Sequence, residues 1–134
     1  MGGGLTPEGK VKADCLEYLK RIGIFAWNNP TGALQVRPGQ FMRFGYPGSS
    51  DIIGVCPDGR FLAVECKRPK GGRLSDKQRE FLNKVNKLGG VAIVVCTVNA
   101  LAQWMSMLGY VKSEFIFTDS LETEGITRPY CKHS

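Results

Sequence analysis

Apolar residues recur every three or four positions at Val11, Cys15, Tyr18, Leu19 and Ile22, which marks one buried face of a helix. Thr6-Pro7-Glu8 supplies its start, with Thr6 as N-cap and Pro7 at the first helical position, and the helix runs to about Arg21 before Gly23 ends it. Ile24 to Trp27 is a short apolar strand. Asn28 to Gly48, rich in Gly, Pro, Asn and Gln, reads as a long binding loop or an irregular surface hairpin, with one short strand near Phe41 to Phe44. Two strands follow, Asp51 to Cys56 and Arg60 to Lys67, joined by Pro57-Asp58-Gly59. Ser75-Asp76-Lys77-Gln78 is a capping box, and Phe81, Leu82, Val85 and Leu88 give the buried stripe of a helix that Gly89-Gly90 ends. The unbroken β-branched run Val91 to Thr97 suits a central parallel strand, so Arg60 to Thr97 forms a βαβ unit. Asn99 is expected to cap a last helix through Leu101, Trp104, Met105 and Leu108. Beyond Tyr110 the pattern weakens: Glu114 to Thr118 is expected as an edge strand, with disorder after it. The order is αβββαβα around one mixed sheet. The domain is placed at residues 6–110, with 1–5 as a flexible leader and 111–134 as a C-terminal extension.

Composition narrows the class. At 134 residues, 43% hydrophobic and 22% charged, the chain suits one globular domain that folds without disulfides or a structural metal. Its longest apolar run is too short for a bilayer span, and no secretory leader opens it, so a protein retained in the cytoplasm is expected. The five cysteines, Cys15, Cys56, Cys66, Cys96 and Cys131, are odd in number and scattered, which reads as free thiols in a reducing compartment. Cys131 with His133 makes at best half a zinc site.

The net charge of +6 becomes informative once it is located. Residues 1–59 carry six Lys/Arg against five Asp/Glu, residues 60–87 nine against three, and residues 88–134 three against four. The whole excess falls in the middle segment, through Lys67, Arg68, Lys70, Arg73, Lys77, Arg79, Lys84 and Lys87. Such a block is either a solvated helix face with a basic loop before it or a surface for a polyanion.

A three-residue hairpin loop at Pro57-Asp58-Gly59, with Gly59 left-handed, sets a register in which paired residue numbers sum to 116. Asp51 then faces Glu65 on one side of the sheet, Lys67 shares that side, and Cys66 points the other way. Two opposed carboxylates need a cation between them, or else the turn is the two-residue Asp58-Gly59 and Asp51 faces Cys66 instead. Glu8 lies on the inward stripe of the first helix, where the helix dipole alone would favour an acid. Gln78 has a sufficient role in the capping box. Hard oxygen donors without His or Cys select Mg²⁺ or Mn²⁺, and such an ion beside an ammonium suits phosphodiester hydrolysis.

Gly48-Ser49-Ser50-Asp51-Ile52-Ile53-Gly54, Gly59 to Lys67 and Leu74 to Leu82 followed by Gly89-Gly90-Val91 resemble the VRR-NUC family of the PD-(D/E)xK nuclease superfamily. The likeness runs from about Thr6 to Leu108. With Trp27-Asn28-Asn29-Pro30-Thr31-Gly32-Ala33 it is similar to the compact stand-alone members carried by bacteriophages, which would place the protein in the host cytoplasm. The resemblance implies a restriction-endonuclease-like α/β core in which Asp51, Glu65 and the backbone carbonyl of Cys66 hold Mg²⁺ or Mn²⁺. Lys67 would orient or activate the attacking water, Glu8 would be the first-helix acid, also near the metal, and Gln78 the helix glutamine near the site. Ser50 stands where the superfamily motif has proline. Asn28, Asn29, Arg37, Arg43, Ser49, Ser50, Arg68, Lys70, Arg73 and Lys77 are the expected DNA contacts. Compact members resemble Holliday-junction resolvases that act as homodimers on branched DNA, which makes a resolvase the expected activity. The alternatives are a flap or nicking nuclease and a non-catalytic nucleic-acid-binding module.

Overall fold

A computed structural model describes residues 5–111. Helix α1 spans Pro7–Arg21, with Pro7 in the first turn and the Thr6 hydroxyl accepting from the Gly9 amide at 2.9 Å. The following strands are β1 (Phe25–Asn28), β2 (Gly32–Arg37), β3 (Gln40–Phe44), β4 (Ile52–Val55) and β5 (Phe61–Cys66). Helix α2 (Asp76–Lys87), strand β6 (Val91–Val95) and helix α3 (Val98–Met107) complete the described chain.

The main sheet has the order β1-β4-β5-β6. β1, β4 and β5 pair antiparallel, and β6 joins β5 in parallel after the α2 crossover, as the β-branched run 91–97 predicts. The sheet with its helices is therefore αβββαβα, a mixed sheet flanked by helices and consistent with the restriction-endonuclease-like fold. β2 and β3 form a separate two-stranded hairpin inserted between β1 and β4. Of the two readings of this segment, the irregular surface hairpin holds, with β2 as a second strand paired to β3 and a bulge between Gln35 and Arg37.

One sheet face buries Ile52, Leu62, Val64, Cys66, Ile93 and Val95 against α1 and α3. The other places Ile53, Ala63, Ala92 and Val94 under Leu82 of α2, with Leu74, Phe81 and Val85 packed alongside. α2 covers the β5–β6 half of that face, and Phe25, Trp27, Val55 and Phe61 remain exposed on the same side toward β1.

Four expectations need correction or fall outside the described chain. Leu88, placed in the buried stripe of α2, is the C-cap residue and is exposed, because the helix has ended before its side chain can reach the sheet. α3 is capped by Thr97 in place of Asn99: extended backbone at Thr97 lets its hydroxyl accept from the Ala100 amide at 3.1 Å. Cys15, Cys56 and Cys66 are free thiols, but Cys96 is disulfide-bonded. The expected edge strand at Glu114 to Thr118 lies outside the described residues. Among those described, no helix is long and apolar enough to cross a membrane.

Candidate active site

The β4–β5 turn decides where the carboxylates meet. Gly59 has φ +90° and donates to the Cys56 carbonyl at 2.8 Å, while the Cys56 amide donates to the Arg60 carbonyl at 2.8 Å. Val55 pairs with Phe61 and Ile52 with Val64, so the three-residue loop and its 116 register hold and the two-residue alternative does not. Extending the ladder by one step brings Asp51, just before β4, to Glu65 near the end of β5. Asp51 Oδ2 accepts from the Cys66 amide at 2.9 Å, which fixes the carboxylate on the β5 backbone.

Glu65 and Lys67 are both buried, at 1% and 7% exposure. Charged groups rarely sit so deep without partners. Here Lys67 Nζ lies 3.4 Å from Glu65 Oε2 and donates to Gln78 Oε1 at 2.9 Å, and Gln78 Nε2 donates to Glu65 Oε2 at 3.0 Å. Gln78 also completes the capping box of α2: Ser75 N donates to its Oε1 at 2.9 Å, and its own amide donates to Ser75 Oγ at 3.1 Å. One side chain therefore both caps the helix and ties it to the acidic pair, so the two readings of Gln78 coexist. Gly72 lets the loop after β5 lie against Lys67, because a Cβ there would stand 2.8 Å from the Lys67 Cβ.

Burial pushes the Glu65 carboxyl up to about 8; the neighbouring Asp51 charge adds to the rise and Lys67 opposes it. Glu65 Oε1 is buried with no hydrogen-bond partner. A carboxylate oxygen left orphaned beside a second carboxylate is a donor set suited to a hard divalent cation. Asp51 and Glu65 therefore fit such an ion. Among the described residues no three His, Cys, Asp or Glu side chains gather where they could hold a metal, so Glu8, half-buried in the first turn of α1, does not join Asp51 and Glu65. The Cys66 thiol lies on the opposite face, where its contact with Cys15 and burial raise its pKa well above the usual thiol value, so it offers no nucleophile.

A cavity of about 340 Å³ opens from Asp51 and Gln78, with Lys12 and Lys77 on its walls and Asn29, Thr31 and Ser49 beside them. Asn29 holds this wall together: its side chain donates to Ser49 Oγ and to the Ser50 carbonyl, both at 2.9 Å, and its amide donates to the Asp51 carbonyl at 2.7 Å. Ser50, expected to touch DNA, is fully buried and has no surface to offer. Asn28, Arg37, Arg43, Arg68, Lys70, Arg73 and Lys77 are exposed. Arg37 and Arg43 belong to the hairpin, whereas Arg68 and Lys70 lie on the loop after β5, where Arg68 donates to the Gly71 carbonyl at 3.1 Å. Lys12 and Thr31 lie on this cavity without having been singled out from the sequence; Lys12, one residue past Val11 on α1, carried no motif signal.

Comparison with curated proteins and with solved structures finds no match. The VRR-NUC domain profile matches residues 31–100, which is just over half of the chain. That span includes Asp51, Glu65, Lys67 and Gln78 and starts after Glu8. Membership implies a nuclease, and nucleases of this kind act on DNA. The chain thus belongs to the VRR-NUC domain family.

Proposed function

We propose that the protein is a Mg²⁺- or Mn²⁺-dependent endonuclease that hydrolyses phosphodiester bonds in branched DNA, as a Holliday-junction resolvase acting as a homodimer. The observation that carries the chemistry is the buried Glu65–Lys67–Gln78 triangle facing Asp51, with the Glu65 Oε1 left unpartnered. Asp51, Glu65 and the Cys66 carbonyl would hold the divalent ion, which when bound would supply Lewis-acid polarisation of the scissile phosphate. The chain's own groups do the rest. Lys67 is held by two neighbours, so its ammonium is fixed in place where negative charge develops on the phosphate. Gln78 keeps Lys67 and Glu65 in register with the helix. Lys12 and Lys77 on the cavity wall, with the exposed Arg68, Lys70 and Arg73, draw the polyanion toward it.

The homodimer is supported by the β2–β3 hairpin, which presents Leu34, Met42 and Phe44 on one solvent-exposed face. An isolated two-stranded hairpin is marginal in water, so a partner surface against it is the natural complement. Glu65→Ala should abolish cutting of a four-way junction in Mg²⁺ or Mn²⁺ while junction binding survives, and chelator should do the same to the wild type. Cutting that persists in Glu65→Ala, or in chelator, would overturn the metal-dependent reading. Equal cutting of linear duplex would remove the resolvase assignment and leave a less selective nuclease.

A further inference from the structure

Next to the active-site cavity, a second groove of about 280 Å³ lies between the chain that follows the hairpin and one flank of α2. Tyr46, Pro47, Lys77, Glu80, Phe81 and Lys84 line it. Lys77 lines both openings, so the groove adjoins the site. Tyr46 is 61% exposed and its ring leans on Phe81, with centroids 6.0 Å apart and planes at 46°. It is held in place, because Ser49 N donates to the Tyr46 carbonyl at 3.0 Å and Gly48, at φ +83°, rests on the α2 backbone. A Cβ at Gly48 would stand 2.5 Å from the Lys77 carbonyl oxygen, so only glycine lets the loop come this close.

Along α2, Lys77, Glu80 with Phe81, and Lys84 succeed one another at helical spacing and share a face, roughly 10 Å from end to end. That face carries a cation at each end and an aromatic in the middle. Glu80 Oε2 lies 3.6 Å from Lys84 Nζ, which leaves the carboxylate accepting capacity beyond the ion pair. An exposed, fixed ring flanked by lysines is the arrangement by which proteins hold unpaired nucleotides: the base stacks, and the cations flank the backbone phosphates.

We propose that this groove is a subsite for one unpaired nucleotide of the DNA substrate, with the base stacked on Tyr46 and its phosphates between Lys77 and Lys84. Glu80 accepts from the exocyclic amino group of the base, which favours adenine, cytosine or guanine over thymine. The inference rests on DNA being the substrate, and it adds a strand-state preference that the acidic site alone does not provide.

The test uses the full chain with a fluorescent 2-aminopurine in the single-stranded arm of a splayed duplex, in chelator so that no strand is cut. Binding should quench the 2-aminopurine. Tyr46→Ala should remove the quench and weaken binding of the splayed substrate roughly 5- to 150-fold, the range of one lost base stack. Tyr46→Phe should retain both, and affinity for fully paired linear duplex should be the same in all three proteins. Lys84→Ala should lower the salt dependence of splayed-arm binding. Tyr46→Ala that quenches and binds like the wild type would overturn the subsite. So would a Tyr46→Ala protein that binds every DNA normally but changes its sedimentation, since the groove would then serve a second copy of the chain. Because these readouts need no cleavage, a wild type that quenches but never cuts would sink the nuclease reading and leave the subsite standing.

Discussion

The Asp51–Glu65 end of the main sheet and the β2–β3 hairpin lie close together in sequence and are built on opposite principles. At the first, Glu65 and Lys67 are buried, and Gln78, Ser75 and the Cys66 amide supply hydrogen bonds from within the chain. Among the described polar atoms there, Glu65 Oε1 and the Oγ of Ser50, next to Asp51, are buried without a partner. At the second, every residue of β2 and β3 is exposed, Leu34, Val36, Phe41, Met42 and Phe44 included. The buried site is largely hydrogen-bonded by the chain itself, with Glu65 Oε1 left for the proposed cation. The hairpin is not accounted for by the described residues, since its apolar side chains contribute nothing to the core they form. The difference separates what folding requires from what partners require.

The sharpest way to break this comparison is Lys67→Ala. If the site is preassembled for chemistry, junction cutting should fall by roughly 10²- to 10⁴-fold, the usual contribution of a positioned catalytic group, while junction binding persists. Single-turnover cleavage, with binding followed in chelator, measures both. Normal cutting by this variant would make the buried triangle a structural device.

Next in size is the pH dependence of stability in metal-free protein. Glu65 is held at about 8, well above its ordinary 4.5, so the folded state keeps a proton that the unfolded chain has already lost. The stability this confers is fully present below about 4.5 and is lost as pH rises toward 8. The loss is on the order of a few kcal/mol. Denaturant unfolding of the wild type in chelator should therefore show stability falling across that window relative to Glu65→Gln, in which the group no longer titrates. Adding Mg²⁺ or Mn²⁺ at pH 8 should restore stability to the wild type and not to the variant. Parallel pH profiles for the two proteins would mean that Glu65 is not held protonated.

Both tests address the part of the molecule that local rules expose. Pro57-Asp58-Gly59 specifies a turn, the turn sets the register, and the register alone brings Asp51 to Glu65. Ser75 and Gln78 announce α2, and Thr6-Pro7 announces α1. The hairpin was less legible: Arg37-Pro38-Gly39-Gln40 is a turn signal, with Gly39 at φ +79°, but the bulge between Gln35 and Arg37 interrupts the alternation that would reveal β2. The Thr97 cap was hidden because a β-branched residue after Val95 reads as more strand. The Tyr46 groove was invisible for another reason, since it depends on Gly48 seating a loop on a helix 29 residues further along at Lys77. No spacing rule connects those positions.

A smaller effect tests the link between helix and site. Ser75→Ala removes the oxygen that accepts from the Gln78 amide and should cost about 1 kcal/mol, as cap losses usually do. Gln78 keeps its bonds to Lys67 and Glu65, so cutting should change less than tenfold. Thermal unfolding and junction cleavage on the same preparation separate the two readouts. A large loss of activity with unchanged stability would show that the cap positions Gln78 for chemistry beyond holding the helix.

The smallest effect on stability belongs to the hairpin, and it is the most informative about partners. Leu34 and Met42 face each other across β2 and β3 on the side that also carries Phe44, and all three side chains are exposed. Leu34→Ser with Met42→Ser removes apolar surface that water already reaches, so unfolding free energy should move by no more than about 0.5 kcal/mol, the usual range for surface changes. If that face meets a second copy of the chain, the same variant should sediment as a monomer at concentrations where the wild type is dimeric, and cutting of the four-way junction should turn from paired to single incisions. A variant that loses several kcal/mol would place the hairpin within the folding core despite its exposure. A variant that is unchanged in stability, assembly and incision pattern would leave Arg37 and Arg43, on the same hairpin, as the reason for its existence, and would turn attention to its contact with DNA.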